Sequence, residues 1–536
     1  MKKNTVMFTA VALLISLLVS ACSSPMGKEA APQAPDGSYS PPPGNYPAVY
    51  PPPGEPGPSG GKYDASGESY LVIEENSRTL TDVDSTLTFS LKVDTASYSN
   101  VQRFIESGNL PPKDAVRTEE LINYFNYDTD LRFGDDPFAI YAEVAPSPFD
   151  ADKYMAFVRV KTQEIDKDDL PPSNLTFLID TSGSMNSFDK LPLLKDSFAL
   201  LVDTLGEDDI VSIVTYAGAS RVVLDSVSGA DKRRILSAID SLRAGGSTAG
   251  GEGIKTAYKL AEKNFLRGGN NRVILATDGD FNVGVSSNAE LSRLIKEKSD
   301  SGVYLSILGF GMGNIRDDLM ETLSKDGNGN YSYINSLRTA QKVLVDELTG
   351  NLFTIADDVK AQVEFNPENV KSYRLIGYEN RIMSDKDFAD DTKDAGEIGA
   401  GTDVIILFEI ELYNPPGGVE YKYQSNTTAG ASTSDSPYAD ELFEVRIRYK
   451  DPGDSRSKLI TLPIKLENIL SRGSHDFNFA CCVAAFSDLL RDSKYAVQAA
   501  SSGKIISVTE DNLGRDSGGY RADFLTLLNQ YRRIAG

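Results

Sequence analysis

The sequence predicts an α/β protein whose centre is a doubly wound, mostly parallel sheet. Three features of the sequence indicate this fold. Leu175–Ile179 is a nearly continuous apolar run, as expected of a strand buried on both faces. Strand-like and helix-like segments then alternate as far as Phe353. Polar loops rich in Asp, Ser and Gly follow two of these strands directly, where open α/β sheets place their binding sites.

Length and charge limit the classes of protein that the chain can belong to. Its 536 residues suffice for two to four folded units, and 40% hydrophobic with 9% aromatic residues can form real cores. The 54 basic and 77 acidic residues give a formal charge of -23. Such a surface repels phosphate backbones, so we expect no nucleic-acid partner.

Residues 1–22 have the features of an export signal. Two lysines precede the short apolar segment Val6–Val19, and small residues lead to Cys22. Val19–Cys22 resembles the lipobox of bacterial lipoproteins, which implies cleavage before Cys22 and lipidation of its sulfur. A plain secretory signal with an incidental cysteine is the alternative.

We expect the mature chain to be attached to a membrane of the cell envelope without spanning it. Ser23 follows the cysteine and resembles the outer-membrane sorting pattern of enteric bacteria. No later apolar run approaches the roughly 20 residues of a transmembrane helix. Residues 23–62 are rich in Pro and Gly, which predicts a disordered spacer; a proline-motif ligand for a partner is the alternative.

Residues 63–150 are predicted to form a small α+β unit. Thr88–Val93 alternates at the strand period. Two helices are expected near residues 97–107 and 118–125, and Pro111-Pro112 separates them.

Residues 151–353 are predicted to form the α/β domain. The helix after the first strand carries an apolar stripe that includes Leu194, Phe198 and Leu201. The further strands and helices predicted here are Ile210–Tyr216, Lys232–Leu242, Ile254–Phe265, Val273–Ala276, Glu290–Ser299 and Val303–Leu308.

The remainder of the chain is predicted to be a β-sandwich-like domain, residues 354–470, and a helical segment, residues 471–536. The expected strands and helices are Val363–Phe365, Tyr373–Ile376, Val404–Leu412, Leu442–Tyr449, Lys458–Pro463, Phe479–Arg491 and Arg521–Arg532. Neighbouring cysteines on a helix bridge poorly, so Cys481 and Cys482 are interpreted as two small core residues.

Three polar segments converge on one edge of the predicted sheet. Asp180-Thr181-Ser182-Gly183-Ser184 follows the first buried strand, and Thr277-Asp278-Gly279-Asp280 follows another. Between them, Gly245-Gly246-Ser247-Thr248 opens a helix. Each segment alone is typical of a capping turn. All three at one sheet edge predict a site.

The chemistry of this set favours a divalent metal. The hydroxyls of Ser182, Ser184 and Thr248 are hard, neutral oxygen donors, which suit Mg²⁺ or Mn²⁺. Asp180 and Asp278 can bind the ion directly or through water. An ion with neutral direct ligands stays electrophilic and keeps a position for a carboxylate of a partner protein. Nothing in the set supplies a nucleophile or a tuned base, so we expect binding and no enzyme activity.

These five positions resemble the metal-ion-dependent adhesion site (MIDAS) of von Willebrand factor type A (VWA) domains. The resemblance covers about 180 residues. It implies direct coordination by Ser182, Ser184 and Thr248, roles for Asp180 and Asp278 directly or through water, and Mg²⁺, with Mn²⁺ or Ca²⁺ as substitutes.

The flanks resemble bacterial lipoproteins with the same central domain, often labelled calcium-activated chloride channel homologues. The matching segments are Thr88–Ser90, Val93–Tyr98, Leu110–Pro112, Glu119–Tyr127, Asp476–Phe477, Ala484–Phe486 and Leu489–Arg491. The resemblance does not extend to a channel function. It implies an envelope protein that binds another protein.

The sequence fits five other interpretations less well. A phosphotransferase of the haloacid dehalogenase type needs a second acid where Ser182 stands. A serine hydrolase or a His-Glu-x-x-His protease lacks histidines, because His475 is the only one. Asp326–Asn330 resembles a calcium loop but has Tyr331 where that loop needs glycine, so a turn is expected. A metal-free structural scaffold is the remaining alternative.

Overall fold

The structure, a computed structural model, describes residues 62–63, 67–92, 94–166, 169–247, 250–279, 281, 288–393, 395–413 and 436–535. They belong to one compact unit within Glu55–Gly536. The predicted signal peptide with Cys22, the predicted spacer up to residue 61, and Thr248 lie outside the described residues. Within those residues, no helix is both long enough and apolar enough to cross a membrane.

The strands are numbered along the chain. They are β1 (Lys62–Tyr63), β2 (Ser69–Tyr70), β3 (Thr79–Leu80), β4 (Thr86–Ser90), β5 (Phe138–Pro146), β6 (Tyr154–Thr162), β7 (Ser173–Asp180), β8 (Ile210–Tyr216), β9 (Ser220–Ser228), β10 (Asn270–Thr277), β11 (Tyr304–Phe310), β12 (Tyr331–Ile334), β13 (Thr354–Phe365), β14 (Val370–Ile376), β15 (Ile382–Met383), β16 (Ile398–Gly399), β17 (Asp403–Leu412), β18 (Glu441–Lys450) and β19 (Ser457–Lys465).

The α-helices are numbered in the same way. They are α1 (Ala96–Glu106), α2 (Thr118–Ile122), α3 (Leu191–Thr204), α4 (Lys232–Ser241), α5 (Gly250–Lys263), α6 (Asn288–Asp300), α7 (Asp317–Asp326), α8 (Leu337–Gln341), α9 (Leu348–Leu352), α10 (Asp385–Phe388), α11 (His475–Arg491), α12 (Ser502–Glu510) and α13 (Tyr520–Ala535). A π-helical turn, Lys342–Asp346, lies between α8 and α9.

The central sheet has the order β12-β11-β10-β7-β8-β9. All neighbouring strands are parallel except β9, which is antiparallel to β8. Apolar residues of α3 and α4 cover one face of the sheet, and those of α5, α6 and α7 cover the other. Every residue of β7 is buried, as the continuous apolar run predicts. The predicted doubly wound, mostly parallel α/β fold is confirmed.

Besides the two-stranded sheet of β1 and β2, the described flanking parts of the chain form two larger sheets, which enclose a common apolar core. One sheet has the order β15-β4-β13-β18-β19, with β16 also paired to β13. The other has the order β3-β14-β17-β6-β5. Both sheets therefore combine strands that precede the central sheet with strands that follow it.

This pairing differs from the sequential division into units 63–150, 151–353 and 354–470. Thr88 of β4 pairs with Gln362 of β13, and Val158 of β6 pairs with Ile406 of β17. β6 lies beyond residue 150 in the chain but belongs to the sandwich, because its other neighbour is β5. The central α/β domain is thus an insertion between two parts of one β-sandwich.

Helices α1, α2, α11, α12 and α13 form a layer whose core includes residues of β5, β6 and β17. Phe125, Phe479 and Phe524 pack edge to face there, with ring centroids 4.9 to 5.6 Å apart. Cys481 and Cys482 are buried and free in the same core. The prediction of two small core residues is confirmed.

A buried ionic cluster joins this helical layer to the central domain. The Arg117 guanidinium contacts Glu120 of α2 and Asp317 of α7, each at 2.5 Å. Arg381, which lies between β14 and β15, contacts Asp94 at 3.2 Å. Buried charges of this kind are stable only when they are paired, so the cluster fixes the relative position of the elements that contribute to it.

Candidate functional site

The first loop of the candidate site begins where β7 ends. Asp180 is the last residue of β7 and is fully buried. The backbone N–H of Ser182 donates a hydrogen bond of 2.8 Å to Asp180 Oδ1. A 3₁₀ turn, Gly183–Asn186, follows and places the Ser184 hydroxyl 2.9 Å from the Ser182 hydroxyl.

The second loop begins beside the first, because β10 is the parallel neighbour of β7. Ala276 is paired with Ile179, so Thr277 and Asp278 follow at the same sheet edge as Asp180. Thr277 Oγ1 lies 3.5 Å from Asp180 Oδ2. Asp278 is fully buried, and its carboxylate accepts a hydrogen bond of 2.8 Å from Lys190 Nζ.

The third loop is tied to the first by its backbone. Gly245 N–H donates to the Thr181 carbonyl at 2.8 Å, and Gly183 N–H donates to the Gly246 carbonyl at 3.0 Å. Thr248, the predicted fifth member of the site, lies outside the described residues. The structure therefore brings Asp180, Ser182, Ser184 and Asp278 to one edge of the sheet.

Burial shapes the electrostatics of this edge. Loss of hydration and, to a smaller extent, the negative charge of Asp278 raise the pKa of Asp180 to about 6, against the lowering effect of its hydrogen bonds with Ser182. Two carboxylates held close together in a buried place favour a cation between them.

The donor set fits a small hard cation. Adjacent ligands of an octahedral Mg²⁺ at roughly 2.0–2.1 Å lie about 2.9 Å from each other. The Ser182 and Ser184 hydroxyl oxygens have this 2.9 Å spacing. The side-chain oxygens of Asp180, Ser182, Ser184 and Asp278 are two hydroxyls and two carboxylates, which suit a hard cation better than a soft one.

Lys190 and Asn314 also lie at this edge, although no sequence motif marks them. The buried Lys190 Nζ donates to Asn314 Oδ1 at 3.1 Å as well as to Asp278. Lys190 directly precedes α3, and the surrounding sequence has no motif that identifies its role. Gly311 is a sequence feature that could have indicated this role, because a glycine directly after a buried strand often permits another part of the chain to approach closely.

The loop after β11 forms the remaining wall of the site, and the N-terminal segment holds it. Glu68 Oε1 accepts a hydrogen bond of 2.8 Å from Gly313 N–H, and Ser69 N–H donates to the Ile315 carbonyl at 2.9 Å. Arg103 pairs with Glu68 at 2.8 Å. The residues before and after Asn314 are thus both hydrogen-bonded to the N-terminal segment, which fixes the position of Asn314.

Two large apolar side chains of these loops are exposed. Phe188, between the serine loop and Lys190, is 81% exposed, and Met312, in the loop after β11, is 45% exposed. Aromatic side chains are enriched among the residues that dominate binding energy in protein interfaces, so Phe188 is a candidate contact for a partner.

Other predicted or rejected sites are located as follows. His475 begins α11, where its ring contacts Asn512 at 3.2 Å. Asp326–Asn330 spans the connection between α7 and β12, as expected of a turn.

Comparison with known proteins agrees with this architecture. The model of the von Willebrand factor type A domain family matches residues 174–347. A model described as the C-terminal part of the uncharacterized protein YfbK matches residues 350–534, and one described as von Willebrand factor matches residues 64–156. The resemblance to VWA domains is confirmed.

The YfbK protein of Escherichia coli K12 is 44% identical over 449 residues, which cover 82% of this chain and 77% of that protein. The inter-alpha-trypsin inhibitor heavy chain H2 of Sus scrofa is 28% identical over 166 residues, which cover 30% of this chain and 18% of that protein. Among solved structures, a von Willebrand factor type A protein from Catenulispora acidiphila is 15% identical with a TM-score of 0.39, covering 74% of this chain and 91% of that chain.

Proposed function

The chain belongs to the family of the Escherichia coli protein YfbK, and from that premise we propose that it is a lipid-anchored envelope protein whose VWA domain binds a divalent cation and, through it, a carboxylate of a partner protein. One observation carries the proposal: the hard oxygen donors of Asp180, Ser182, Ser184 and Asp278 meet at one sheet edge. The ion supplies a Lewis-acidic centre for a carboxylate oxygen.

Each residue has a role that follows from its chemistry. Ser182 and Ser184 would hold the ion through neutral hydroxyls, together with Thr248 by resemblance. Asp180 and Asp278 would orient those hydroxyls and the bound waters. Neutral direct ligands leave more of the cation's charge for an incoming carboxylate than carboxylate ligands would. A basic partner surface would also be attracted by the chain's net charge of -23.

Metal binding is tested by titrating Mn²⁺ into the chelator-treated wild-type protein and into Asp180→Ala. We expect saturable binding by the wild type and a loss of at least about tenfold in affinity for the variant. Asp196→Ala removes an exposed carboxylate of α3 and is the matched control for lost charge. Equal binding by all three proteins contradicts the proposal.

The carboxylate partner is tested separately with envelope extract. Wild-type protein on a resin is expected to retain a partner in Mg²⁺, to release it in chelator, and to fail when Asp180 is replaced by alanine. Amidation of the carboxyl groups in the extract should abolish retention. Retention that survives amidation would show that the partner is bound in another way.

The lipid anchor requires its own experiment. Wild-type protein is expected to partition with detergent in phase separation, and Cys22→Ala to remain in the aqueous phase.

A phosphatase assay on generic substrates tests the phosphotransferase alternative. We expect the wild-type protein to show no turnover above that of Asp180→Ala.

A further inference from the structure

The candidate site contains a positively charged side chain, that of Lys190. Lys190 is buried and donates to Asp278 Oδ2 at 2.8 Å and to Asn314 Oδ1 at 3.1 Å. A lysine ammonium is strongly hydrated in water, so its burial costs free energy unless acceptors replace the lost water. Here one carboxylate and one amide oxygen do so.

The backbone is arranged to admit this side chain. Gly311 follows β11 with a φ of +75°, and a β-carbon at this position would collide with the methylene stem of Lys190. The loop that carries Asn314 is itself held by Glu68 through Gly313, at 2.8 Å. The ammonium is therefore held at a defined place, with Asp278 as its ionic partner.

We propose that Lys190 tunes the site toward its partner: it weakens binding of the divalent cation alone and strengthens binding of a carboxylate to the cation-loaded site. This inference rests on the proposed function. Asp180, Asp278 and Lys190 together carry one net negative charge, so a divalent cation makes the group positive and a carboxylate then makes it neutral. Without Lys190, the cation alone would neutralise the group and leave less attraction for a carboxylate.

A purely structural ion pair makes a different prediction. If Lys190 only satisfied the buried Asp278, its loss would destabilise the loop, and binding of cation and carboxylate would weaken together. A charge effect instead moves the two affinities in opposite directions. Opposite changes in the cation and carboxylate affinities therefore distinguish a charge effect of Lys190 from a purely structural role.

The experiment uses the full chain as wild type, Lys190→Met and Lys190→Arg, each first shown to be folded by thermal unfolding in chelator. Mn²⁺ affinity is measured by calorimetric titration. Acetate affinity of the Mn²⁺-saturated protein is measured by water-proton relaxation, which reports water displaced from the ion. Should Lys190→Met fail to fold, Lys190→Gln carries the same test, because its amide can still donate a hydrogen bond.

We expect Lys190→Met to bind Mn²⁺ about tenfold more tightly than the wild type and acetate at least about threefold more weakly. Lys190→Arg keeps the charge and should remain within about threefold of the wild type in both. Unchanged or weaker Mn²⁺ binding by Lys190→Met overturns the inference, as does unchanged or tighter acetate binding. If the wild type and Asp180→Ala do not differ in Mn²⁺ binding, the proposed function itself fails.

Discussion

At the scale of single residues, the candidate site depends on charges that are held out of water. Asp180 has lost its hydration at the end of β7, and only part of it is replaced by hydrogen bonds with Ser182. Its pKa of about 6 lies above the ordinary aspartate value of 3.8. The ionised form is therefore destabilised in the folded, metal-free protein, and a cation would relieve that destabilisation.

The first prediction concerns stability and pH. Because the pKa of Asp180 is raised in the folded state, its ionised carboxylate lowers the free energy of unfolding. This destabilisation is complete above about pH 6, decreases as the pH falls toward 3.8, and is absent below that. In chelator, Asp180→Asn is expected to be more stable than the wild type by about 1–3 kcal/mol at pH 7.5. Urea unfolding at pH 7.5 and pH 4 measures this. A gain that is as large at pH 4 would contradict the assigned cause.

The second prediction concerns Phe188, which is 81% exposed beside the site. Phe188→Ala should change the free energy of unfolding by less than about 0.5 kcal/mol, since the side chain packs against little. It should weaken partner retention by about tenfold or more, as loss of an aromatic anchor does. Val83→Ala, which removes a 78% exposed side chain after β3, is the control. Equal retention by both variants would exclude Phe188 from the interface.

At the scale of elements, parallel strands and tight loops bring the site together. Ala276 of β10 pairs with Ile179 of β7, so the two aspartates that follow these strands meet without a long loop. Gly279 then turns the chain with a φ of +104°, where a β-carbon would lie 2.5 Å from the Asn314 carbonyl oxygen. The turn therefore accepts only glycine at this position.

The third prediction follows from this turn. Gly279→Ala should destabilise the protein by about 1–3 kcal/mol, because it adds backbone strain and a collision with the loop after β11. Mn²⁺ affinity should fall as well, because Asp278 is displaced. Gly268→Ala is the matched control: its φ is +77°, and its β-carbon would meet nothing within 4 Å. Thermal unfolding and Mn²⁺ titration of both variants test this prediction. Equal effects of the two substitutions would show that the collision with the loop after β11 does not cause the destabilisation.

The elements also show which features a sequence can reveal. The central sheet was predictable because burial on both faces leaves a local trace, such as the apolar run Leu175–Ile179. The pairing of Thr88 with Gln362 was not, because no local pattern specifies a partner so far along the chain. The motif predicted that Asp180 and Asp278 lie at one sheet edge, where the structure places them. Lys190 left no comparable trace, since its burial depends on Gly311 in a distant loop.

At the scale of the whole molecule, the VWA domain is an insertion in a β-sandwich that neither flank can complete alone. β4 and β6 come before the domain, and their partners β13 and β17 come after it. The buried Arg117–Asp317 pair then joins the helical layer to the domain. The candidate site therefore belongs to one compact unit in which the three parts pack against each other.

The fourth prediction tests this interleaving. A chain that ends at Phe353 leaves β4 without its neighbours β13 and β15 and leaves β6 without β17. Strand edges exposed in this way promote association. We expect it to aggregate in size-exclusion chromatography and to lose its N-terminal region to limited proteolysis. Co-expression with residues 354–536 as a second polypeptide should restore a compact species. A monomeric truncated chain with a protease-resistant N-terminal region would contradict the interleaved sandwich.

Calorimetric titration of Mn²⁺ decides whether Asp180, Ser182, Ser184 and Asp278 together hold a divalent cation. We expect one saturable site in the wild-type protein, weakened at least about tenfold in Asp180→Ala and unchanged in Asp196→Ala. Wild-type protein that binds no Mn²⁺, or binds it no better than Asp180→Ala, would contradict the claim.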